Sequence, residues 1–452
     1  MKLIWPAKIN GKIRAPPSKS MAQRAIAIAA LANGASTISN MPECDDALAA
    51  ISCARALGAK VSVKNDIVKI KGNAGNSASA RLAGMSGNSS SAISIGKPRK
   101  SSSAILAGRT GKSSETLDCH ESGLSLRMFT PIAAAMGGNF MITGSGSLLK
   151  RPVGMMEKPL KELGAACFTR KGFPPIKVQG LLQGGRAKVD GSTSSQFVTG
   201  LLIALPLCPK NSELVVKSLK SKPYVEMTLQ LIGRFGGEVK AGKGLSKFTI
   251  RGNQEYKPAK YKVEGDWSGA AFVLVAGAVA GSAEVSGLGM RSLQADRRIV
   301  DALRKSGAIV RIGKSSISVQ KPKNGLKAFT FDATQCPDLF PPIAALALNC
   351  KGVTKITGAK RLAGKESDRG MAIAKEFAKL GAKVEVAGDS MKITGTAIAG
   401  GAVDSHNDHR IAMACAVAAL NSKNGVSING EECVSKSYPG FFEDLKKLRQ
   451  KR

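Results

Sequence analysis

An amphipathic helix that stops at a glycine and leads into alternating, strand-like residues recurs five times along the chain. Glycine suits the left-handed position that ends a helix, and a run such as Lys383–Val386 then alternates as a strand does. The five glycines are Gly58, Gly164, Gly236, Gly307 and Gly381. Each unit therefore predicts a helix, a stop and a β-hairpin, and the chain as a whole predicts an α/β fold.

The spacing of these glycines predicts two lobes. Successive glycines are 106, 72, 71 and 74 residues apart, and the long first spacing holds a Ser-, Lys- and Gly-rich run at 86–116 that we interpret as a flexible insert. A last helix at 441–448 fits a sixth copy. Because one unit cannot bury its own apolar face, we expect two similar domains of three units each. One lobe would combine 1–14 with 260–452, and the other would span 15–259.

The net charge limits the class of partner. The formal net charge is +35, and a positive field of that size attracts anions such as nucleic acid or a phosphorylated metabolite. Single-stranded nucleic acid stacks on aromatic side chains, which make up only 4% of this chain, so a small anionic metabolite is favoured. With only three histidines, a His-rich metal site is not expected.

The apolar runs and the cysteines favour a cytoplasmic protein. The longest apolar runs, 200–208 and 270–281, are too short to span a membrane, and the N-terminus has no apolar secretion signal. Nine cysteines are scattered with no CxxC pair, which indicates a reducing compartment.

Polar groups gather at three predicted helix starts in the first half. Lys19, Ser20 and Arg24 lie at the start of an alanine-rich helix over 25–32 that Ser18 or Ser20 would cap, and such a start binds anions through its free N–H groups. The groups 194–196 and 221–224 precede two further helices. Taken one at a time, these groups are more often plain helix caps than binding sites, and both interpretations stay open.

The second half carries charge at two more helix starts. If the helix beginning near 364 runs through Lys365 and Arg369, these two residues are four apart and share a face, with Glu366 on the adjacent face. His409 and Arg410 open a small-residue helix over 411–420. A capped helix with an ion pair would also account for these charges.

Taken together and in order, these groups resemble the enolpyruvyl transferases, and within them the 5-enolpyruvylshikimate-3-phosphate synthase family. The matching segments span nearly the whole chain and are 17–24, 121–127, 151–152, 191–197, 221–224, 263–266, 337–338, 365–369, 408–410 and 433–439. The resemblance implies two domains of three βαβαββ repeats each, arranged like an inside-out α/β barrel, with the active site in the cleft between the domains.

The resemblance also implies a reaction of the shikimate pathway, which leads to the aromatic amino acids. The enolpyruvyl group of phosphoenolpyruvate would move to the 5-hydroxyl of shikimate 3-phosphate, and phosphate would be released. It implies no metal or organic cofactor, no membrane or nucleic-acid partner, and a monomer.

Roles for individual residues follow from the same resemblance. It makes Asp338 the base, Glu366 a proton donor, and Lys19 and Lys365 partners in proton transfer and charge stabilisation. The residues implied for shikimate 3-phosphate are Lys19, Ser20, Arg24, Ser194, Ser195, Gln196, Ser221, Tyr224, Asp338 and Lys365. Those implied for phosphoenolpyruvate are Lys19, Gly123, Arg127, Arg151, Gln196, Arg369, Arg410 and Lys436.

Three positions depart from the common family pattern. Glu121 and Leu124 stand in the motif that commonly reads Asn-Ala/Ser-Gly-Thr, and Arg361 stands where many members have Asn. A carboxylate beside an anionic substrate is unfavourable unless it pairs or points away, so we expect Glu121 to do one of these.

Two other functions compete with this one. The sister enzyme that uses UDP-N-acetylglucosamine carries a loop cysteine, whereas Cys119 here precedes the 121–123 motif instead of following it. A basic scaffold that keeps the fold and binds nucleic acid would explain the net charge and the departures at Glu121 and Leu124.

Overall fold

The computed structural model describes residues 1–73 and 114–450. The α-helices in these ranges are α1 (Lys19–Ala30), α2 (Asp45–Ala56), α3 (Gly123–Met136), α4 (Glu157–Glu162), α5 (Ser195–Ala204), α6 (Lys222–Arg234), α7 (Trp267–Ala280), α8 (Ile299–Lys305), α9 (Phe340–Leu348), α10 (Arg369–Lys379), α11 (His409–Ala419) and α12 (Phe441–Lys447). Within the described residues, no helix has both the length and the apolar character that a membrane crossing needs.

The strands fall into short sheets. In chain order they are β1 (Lys2–Ile4), β2 (Ile9–Arg14), β3 (Ala35–Ser39), β4 (Lys60–Lys64), β5 (Ile67–Lys71), β6 (Glu115–Asp118), β7 (Gly138–Thr143), β8 (Ala165–Arg170), β9 (Phe173–Gly180), β10 (Gly185–Asp190), β11 (Ser212–Lys217), β12 (Lys240–Ala241), β13 (Lys247–Ile250), β14 (Lys260–Lys262), β15 (Gly281–Ser286), β16 (Ile309–Ile312), β17 (Ser316–Gln320), β18 (Leu326–Lys327), β19 (Thr330–Asp332), β20 (Cys350–Lys351), β21 (Val353–Thr357), β22 (Lys383–Ala387), β23 (Ser390–Thr394), β24 (Gly401–Asp404) and β25 (Val426–Asn429).

One pairing pattern repeats through these sheets. Each of five four-stranded sheets joins two parallel strands to an antiparallel hairpin, in the orders β14-β3-β5-β4, β6-β7-β9-β8, β10-β11-β13-β12, β2-β15-β17-β16 and β19-β21-β23-β22. In a sixth sheet, β24-β25-β1, the first strand of the chain takes the place of the hairpin. The predicted βαβαββ repeat thus occurs five times, and a sixth time with β1 in place of the hairpin. The sheets of the described residues stay separate and do not close into one barrel.

The glycines that mark the repeats lie where the sequence predicts them. Gly58, Gly164, Gly236, Gly307 and Gly381 all have positive φ, between 79° and 100°. An L-residue with a side chain rarely adopts this backbone conformation, so glycine ends each helix and turns the chain into its hairpin.

Each repeat places one helix in the interior. The interior helices are α1, α3, α5, α7, α9 and α11, and nearly all of their residues are buried. Ala is frequent in α1, α7, α9 and α11. Small side chains let these helices pack closely against each other while their sheets cover the outside.

The buried apolar side chains form two clusters. One contains residues from 4–15 and from 267–448, and the other contains residues from 21–263. These clusters support the predicted division into lobes, which stays our proposal. One boundary changes: β14 pairs with β3, so residues 260–263 belong with the lobe of 15–259. Most of the predicted insert at 86–116 lies outside the described residues, but the insert ends before Glu115, where β6 begins.

The chain crosses between the lobes twice, and the two crossings run side by side. Ser18 N–H donates to the Glu264 carbonyl at 2.8 Å, and Asp266 N–H donates to the Pro16 carbonyl at 2.7 Å. The predicted serine cap of α1 is wrong, because the Ser18 side chain makes no cap hydrogen bond. Instead, Asp266, which lies in the second crossing, caps the helix. Its carboxylate accepts Lys19 N–H at 3.3 Å.

Candidate active site

Four of the six interior helices, α1, α3, α5 and α11, begin at one cavity of about 630 Å³ that lies between the two lobes, and Asp338 lies in the cavity wall just before a fifth, α9. The predicted residues that line it are Lys19, Ser20, Arg24, Gly123, Arg127, Arg151, Ser194, Ser195, Gln196, Ser221, Tyr224, Asp338, Lys365, Glu366, Arg369 and Arg410. Of the predicted site residues, Lys436 alone does not line it. Helix N-termini carry partial positive charge, so their convergence adds to the cationic side chains and favours an anionic ligand.

Asp338 is the point where three cationic side chains meet. Its carboxylate lies 3.1 Å from Lys365 Nζ, 2.9 Å from Arg369 Nη1 and 3.2 Å from Arg410 Nη2. Burial alone would raise the pKa of Asp338, but the charges of these cations outweigh it and hold the pKa well below its ordinary value. Asp338 is therefore a carboxylate at neutral pH.

The predicted helical relation between Lys365 and Arg369 is wrong. The helix α10 begins at Arg369, because the Asp368 side chain caps it by accepting Met371 N–H at 3.2 Å. Lys365 and Glu366 precede the helix in a turn, and Lys365 reaches the anion site through Asp338 and not along a shared helix face.

Arg369 is as deeply buried as Arg24, and it pairs with more carboxylates than any other cation of the site. Arg369 is 1% exposed and pairs with Asp408 at 2.9 Å and with Glu366 at 2.5 Å, in addition to Asp338. Burial opposes its charge, but these three carboxylates together raise the pKa of Arg369. Asp408 also caps α11 by accepting Arg410 N–H at 3.0 Å, which fixes the direction in which Arg410 leaves the helix.

Glu366 lies between two arginines. Arg151 Nη2 is 3.2 Å from its Oε1, and Arg369 Nη2 is 2.5 Å from its Oε2. Burial would raise the pKa of Glu366, but Arg151 and Arg369 hold it well below its ordinary value. As the structure stands, this carboxyl group is ionised and has no proton to donate.

Lys19 has a carboxylate partner that the sequence did not indicate. Its Nζ lies 2.6 Å from Asp46 Oδ2, in the first turn of α2. Burial lowers the pKa of Lys19, but the charge of Asp46 more than compensates and raises it, so Lys19 is an ammonium. The only local signal for Asp46 is an acidic residue in the first turn of a helix, which usually serves the helix itself.

The serine-rich side of the cavity is built around Arg24. Its guanidinium donates to Thr228 Oγ1 at 3.0 Å, to the Ser20 carbonyl at 2.8 Å and to the Tyr224 carbonyl at 3.3 Å. Burial lowers the pKa of Arg24 to about 10, which still leaves it charged at neutral pH. Arg24 thus fixes the backbone that carries Ser20 and Tyr224.

The opposite side is built around Arg127. It donates to the Gly123 carbonyl and to Gln196 Oε1, both at 3.3 Å, and to the Pro152 carbonyl at 3.2 Å. Burial, together with the charge of Arg151, lowers the pKa of Arg127 to about 10. A Cβ at Gly123 would lie 2.6 Å from Arg151 Nη1 and 3.0 Å from Arg127 Nη1, so a side chain there would displace these guanidinium groups from their present positions.

Several residues that line the cavity were not among the predicted site residues. They include Gln23, Asp46, Leu124, Lys220, Lys360, Arg361 and His409. His409 was noted only as the start of a helix, yet it is buried, and burial together with the charge of Lys19 holds its pKa well below the ordinary value. His409 is therefore a neutral imidazole among cations.

The model of the family described as EPSP synthase (3-phosphoshikimate 1-carboxyvinyltransferase) matches residues 5–95 and 95–445. The chain belongs to this family. A 3-phosphoshikimate 1-carboxyvinyltransferase from Clostridium kluyveri is 38% identical over 98% of this chain and 96% of its own, and one from Clostridium beijerinckii is 37% identical over the same shares. The solved EPSP synthase of Acinetobacter baumannii is 26% identical, with a TM-score of 0.76 over 99% of this chain and 98% of that one. The predicted family and the predicted two-domain α/β fold are confirmed.

The positions that depart from the common EPSP synthase pattern have structural partners. The Glu121 carboxylate pairs with Lys436 at 3.1 Å, as we expected for a carboxylate in this motif. Arg361 joins the two lobes, because its guanidinium donates to Ser221 Oγ at 2.5 Å and to the Thr334 carbonyl at 3.2 Å. Leu124 is buried at the cavity wall.

A buried carboxyl group beside the EPSP synthase site gives a prediction for stability. Asp296 is 1% exposed, and Ser268 Oγ donates to its Oδ2. Burial, reinforced by the charge of Asp338, raises the pKa of Asp296 to about 7 from an ordinary value of 3.8. A folded-state pKa above the unfolded one gives stability that is complete below the unfolded value and is lost as the pH rises towards the folded value.

We therefore expect Asp296→Asn to stabilise the protein at pH 8 by about 2 kcal/mol and to change the free energy of unfolding little near pH 4. Denaturant titration at both pH values measures this, with the exposed Asp301→Asn as the matched control. A gain of equal size at both pH values would show that ionisation of Asp296 is not the cause.

Proposed function

We propose that the cavity between the lobes transfers the enolpyruvyl group of phosphoenolpyruvate to the 5-hydroxyl of shikimate 3-phosphate and releases phosphate. The observation that carries this proposal is the meeting of Lys19, Arg127, Lys365 and Arg410 in one cavity, from positions nearly four hundred residues apart. Two phosphates and a carboxylate need such a set of cations, and guanidinium groups match the oxygens of both kinds of anion.

The contacts divide the cavity into two halves. We place shikimate 3-phosphate against Ser194, Ser195 and Ser221, whose hydroxyls lie at the side that Arg24 organises. We place phosphoenolpyruvate between Arg127, Arg151 and Arg410, where the arginines are dense. Asp338 and Lys365 lie where the halves meet, which is where the attacking hydroxyl belongs.

Asp338 is a weak base as long as three cations hold its carboxylate. The substrates bring anionic oxygens that bind Arg369, Arg410 and Lys365, so these cations stabilise the Asp338 carboxylate less. The pKa of Asp338 then rises towards the range in which a base works efficiently. Asp338 takes the proton of the 5-hydroxyl as the oxygen bonds to the enol carbon.

Glu366 acquires a proton by the same effect. When phosphoenolpyruvate binds Arg151 and Arg369, its charge adds to that of the Glu366 carboxylate and raises the pKa of Glu366. The protonated group then donates to the methylene carbon. Lys19 stays an ammonium, and it stabilises the charge on the departing phosphate. In the second step the C–O bond to phosphate breaks, the Glu366 carboxylate takes one proton back from the methyl group, and the enol ether of the product forms. Phosphate carries away the proton that Asp338 took from the hydroxyl.

Phosphate release tests the proposal. The purified chain is mixed with phosphoenolpyruvate alone, with shikimate 3-phosphate added, or with UDP-N-acetylglucosamine added, and inorganic phosphate is measured. We expect release only in the presence of shikimate 3-phosphate. Release that depends on UDP-N-acetylglucosamine would assign the chain to the sister reaction, and salt-sensitive DNA binding without any release would favour the scaffold function.

The remaining expectations from the sequence are proposals of the same kind. We propose a cytoplasmic monomer that uses no metal or organic cofactor. All nine cysteines are buried and free, which fits a reducing compartment. The charge of +35 exceeds what the cavity needs, and nothing in the structure explains the excess.

A further inference from the structure

Glu121 makes contacts in both lobes. It lies just before α3, yet its Oε2 is 3.1 Å from Lys436 Nζ, and Asn407 Nδ2 donates to both of its oxygens at 3.2 and 3.3 Å. Lys436 and Asn407 belong to the lobe that contains 264–450, and Glu121 belongs to the other lobe. We call these three residues the Glu121 bridge.

The Glu121 carboxylate is fixed on its own lobe as well. Ser147 donates to Oε2 from its backbone N–H at 3.4 Å and from its hydroxyl at 3.3 Å. Gly146, with φ +54°, passes so close that a Cβ there would lie 2.6 Å from the carboxyl carbon. Burial would raise the pKa of Glu121, but Lys436, Asn407 and Ser147 outweigh it and lower the pKa. The carboxylate is thus charged and held in one orientation.

Lys436 depends on this carboxylate for its position. Lys436 is 8% exposed, and its ammonium donates to Glu121 Oε2 and to the Asn407 carbonyl at 2.8 Å. An ammonium has three donors, so one is left for an anion. These two hydrogen bonds hold the ammonium, so they also set the direction of its third donor.

We propose that Glu121 is a positioning residue, which joins the two lobes at the phosphoenolpyruvate edge of the cleft and aims Lys436 at that substrate. This inference rests on the proposed function. A carboxylate at this edge also repels an anionic substrate, so two effects compete. Positioning is the larger one here, because the Glu121 charge is balanced by Lys436 and is held by four further hydrogen bonds.

The variant Glu121→Gln keeps the shape of the side chain and removes its charge. We expect the KM for phosphoenolpyruvate to rise about tenfold, with kcat and the KM for shikimate 3-phosphate changed less than threefold. The matched control is Asp45→Asn, because Asp45 accepts the Ser435 hydroxyl across the same edge at 2.6 Å but does not touch Lys436. The control is expected to leave all three constants unchanged.

A double-mutant cycle tests the contact across the lobes. We expect Asn407→Ala to raise the KM for phosphoenolpyruvate, and to add little in the presence of Glu121→Gln, because both changes break one bridge. Additive effects, or an unchanged or lower KM in Glu121→Gln, would overturn the inference. Thermal melting of each variant separates loss of folding from loss of affinity. If the wild-type chain releases no phosphate with shikimate 3-phosphate, the proposed function fails first, and that result is distinct from either outcome for Glu121.

Discussion

Asp338→Asn is expected to lower kcat by about three orders of magnitude in the phosphate-release assay. The asparagine has nearly the same shape but does not take a proton from the attacking hydroxyl. It also leaves Lys365, Arg369 and Arg410 facing one another without the carboxylate that lies within 3.2 Å of each of them. The missing base and the repulsion among the three cations both lower kcat, so we expect this variant to have the largest effect on kcat.

A carboxylate at the rim of the same cavity provides the control for Asp338. Asp389 is exposed, and its Oδ1 accepts Lys360 N–H at 3.0 Å. We expect Asp389→Asn to change kcat by less than about twofold, as surface substitutions usually do. If Asp338→Asn keeps more than a tenth of the wild-type kcat, the proton of the hydroxyl must go elsewhere, and the proposed role of Asp338 is wrong.

The pH dependence of Asp338→Asn distinguishes a missing base from a missing binding group. If Asp338 is the base, the acid limb of the kcat profile disappears in the variant, because the group that loses activity on protonation is gone. If Asp338 only orients shikimate 3-phosphate, the limb remains, and the KM for that substrate rises in proportion to the loss in kcat/KM.

Local patterns in the sequence were enough to predict the repeats. A glycine that ends a helix acts through its own backbone, so Gly58 and Gly381 could be assigned without knowledge of distant residues. Helix starts are local as well: a cap was one of the two interpretations left open for 194–196, and Ser194 does cap α5 by accepting Gln196 N–H. Local patterns therefore predicted the repeat unit and several helix starts at the cavity, whereas Arg127, Arg151 and Asp338 were predicted only through the family resemblance.

Contacts between distant segments could not be predicted in this way. The pairing of β14 with β3 joins residues more than two hundred positions apart, and it moves the lobe boundary by a few residues. The cap of α1 comes from Asp266 and not from the adjacent Ser18, because the second crossing of the chain passes over that helix start. Hydrophobic periodicity and helix or strand propensity describe neighbouring residues only, so they do not predict which distant segments will contact each other.

The start of α10 was an avoidable error. The run at 364–369 contains Asp368, a strong cap residue, directly before Arg369, so the helix starts at Arg369 and not near 364 as we predicted. Lys365 and Arg369 do lie together, but not because they share a helix face. Both contact Asp338, which belongs to another strand-helix unit.

Asp46 leads to the second large effect, which concerns Lys19. Methionine at position 19 keeps much of the volume of the side chain and removes its charge, and it leaves the Asp46 carboxylate unpaired beside an anionic substrate. We expect Lys19→Met to lower kcat/KM for phosphoenolpyruvate by about three orders of magnitude, through the lost cation and the new repulsion together.

A double variant measures how much of the loss in kcat/KM comes from repulsion between the Asp46 carboxylate and the substrate. In Lys19→Met/Asp46→Asn the lost cation is still missing, but the unpaired carboxylate is gone, so about tenfold of kcat/KM should return. Steady-state kinetics with phosphoenolpyruvate as the varied substrate measures both variants. No recovery would mean that Asp46 serves only to hold α2 and α1 together, and that Lys19 acts on the substrate without competition from its partner.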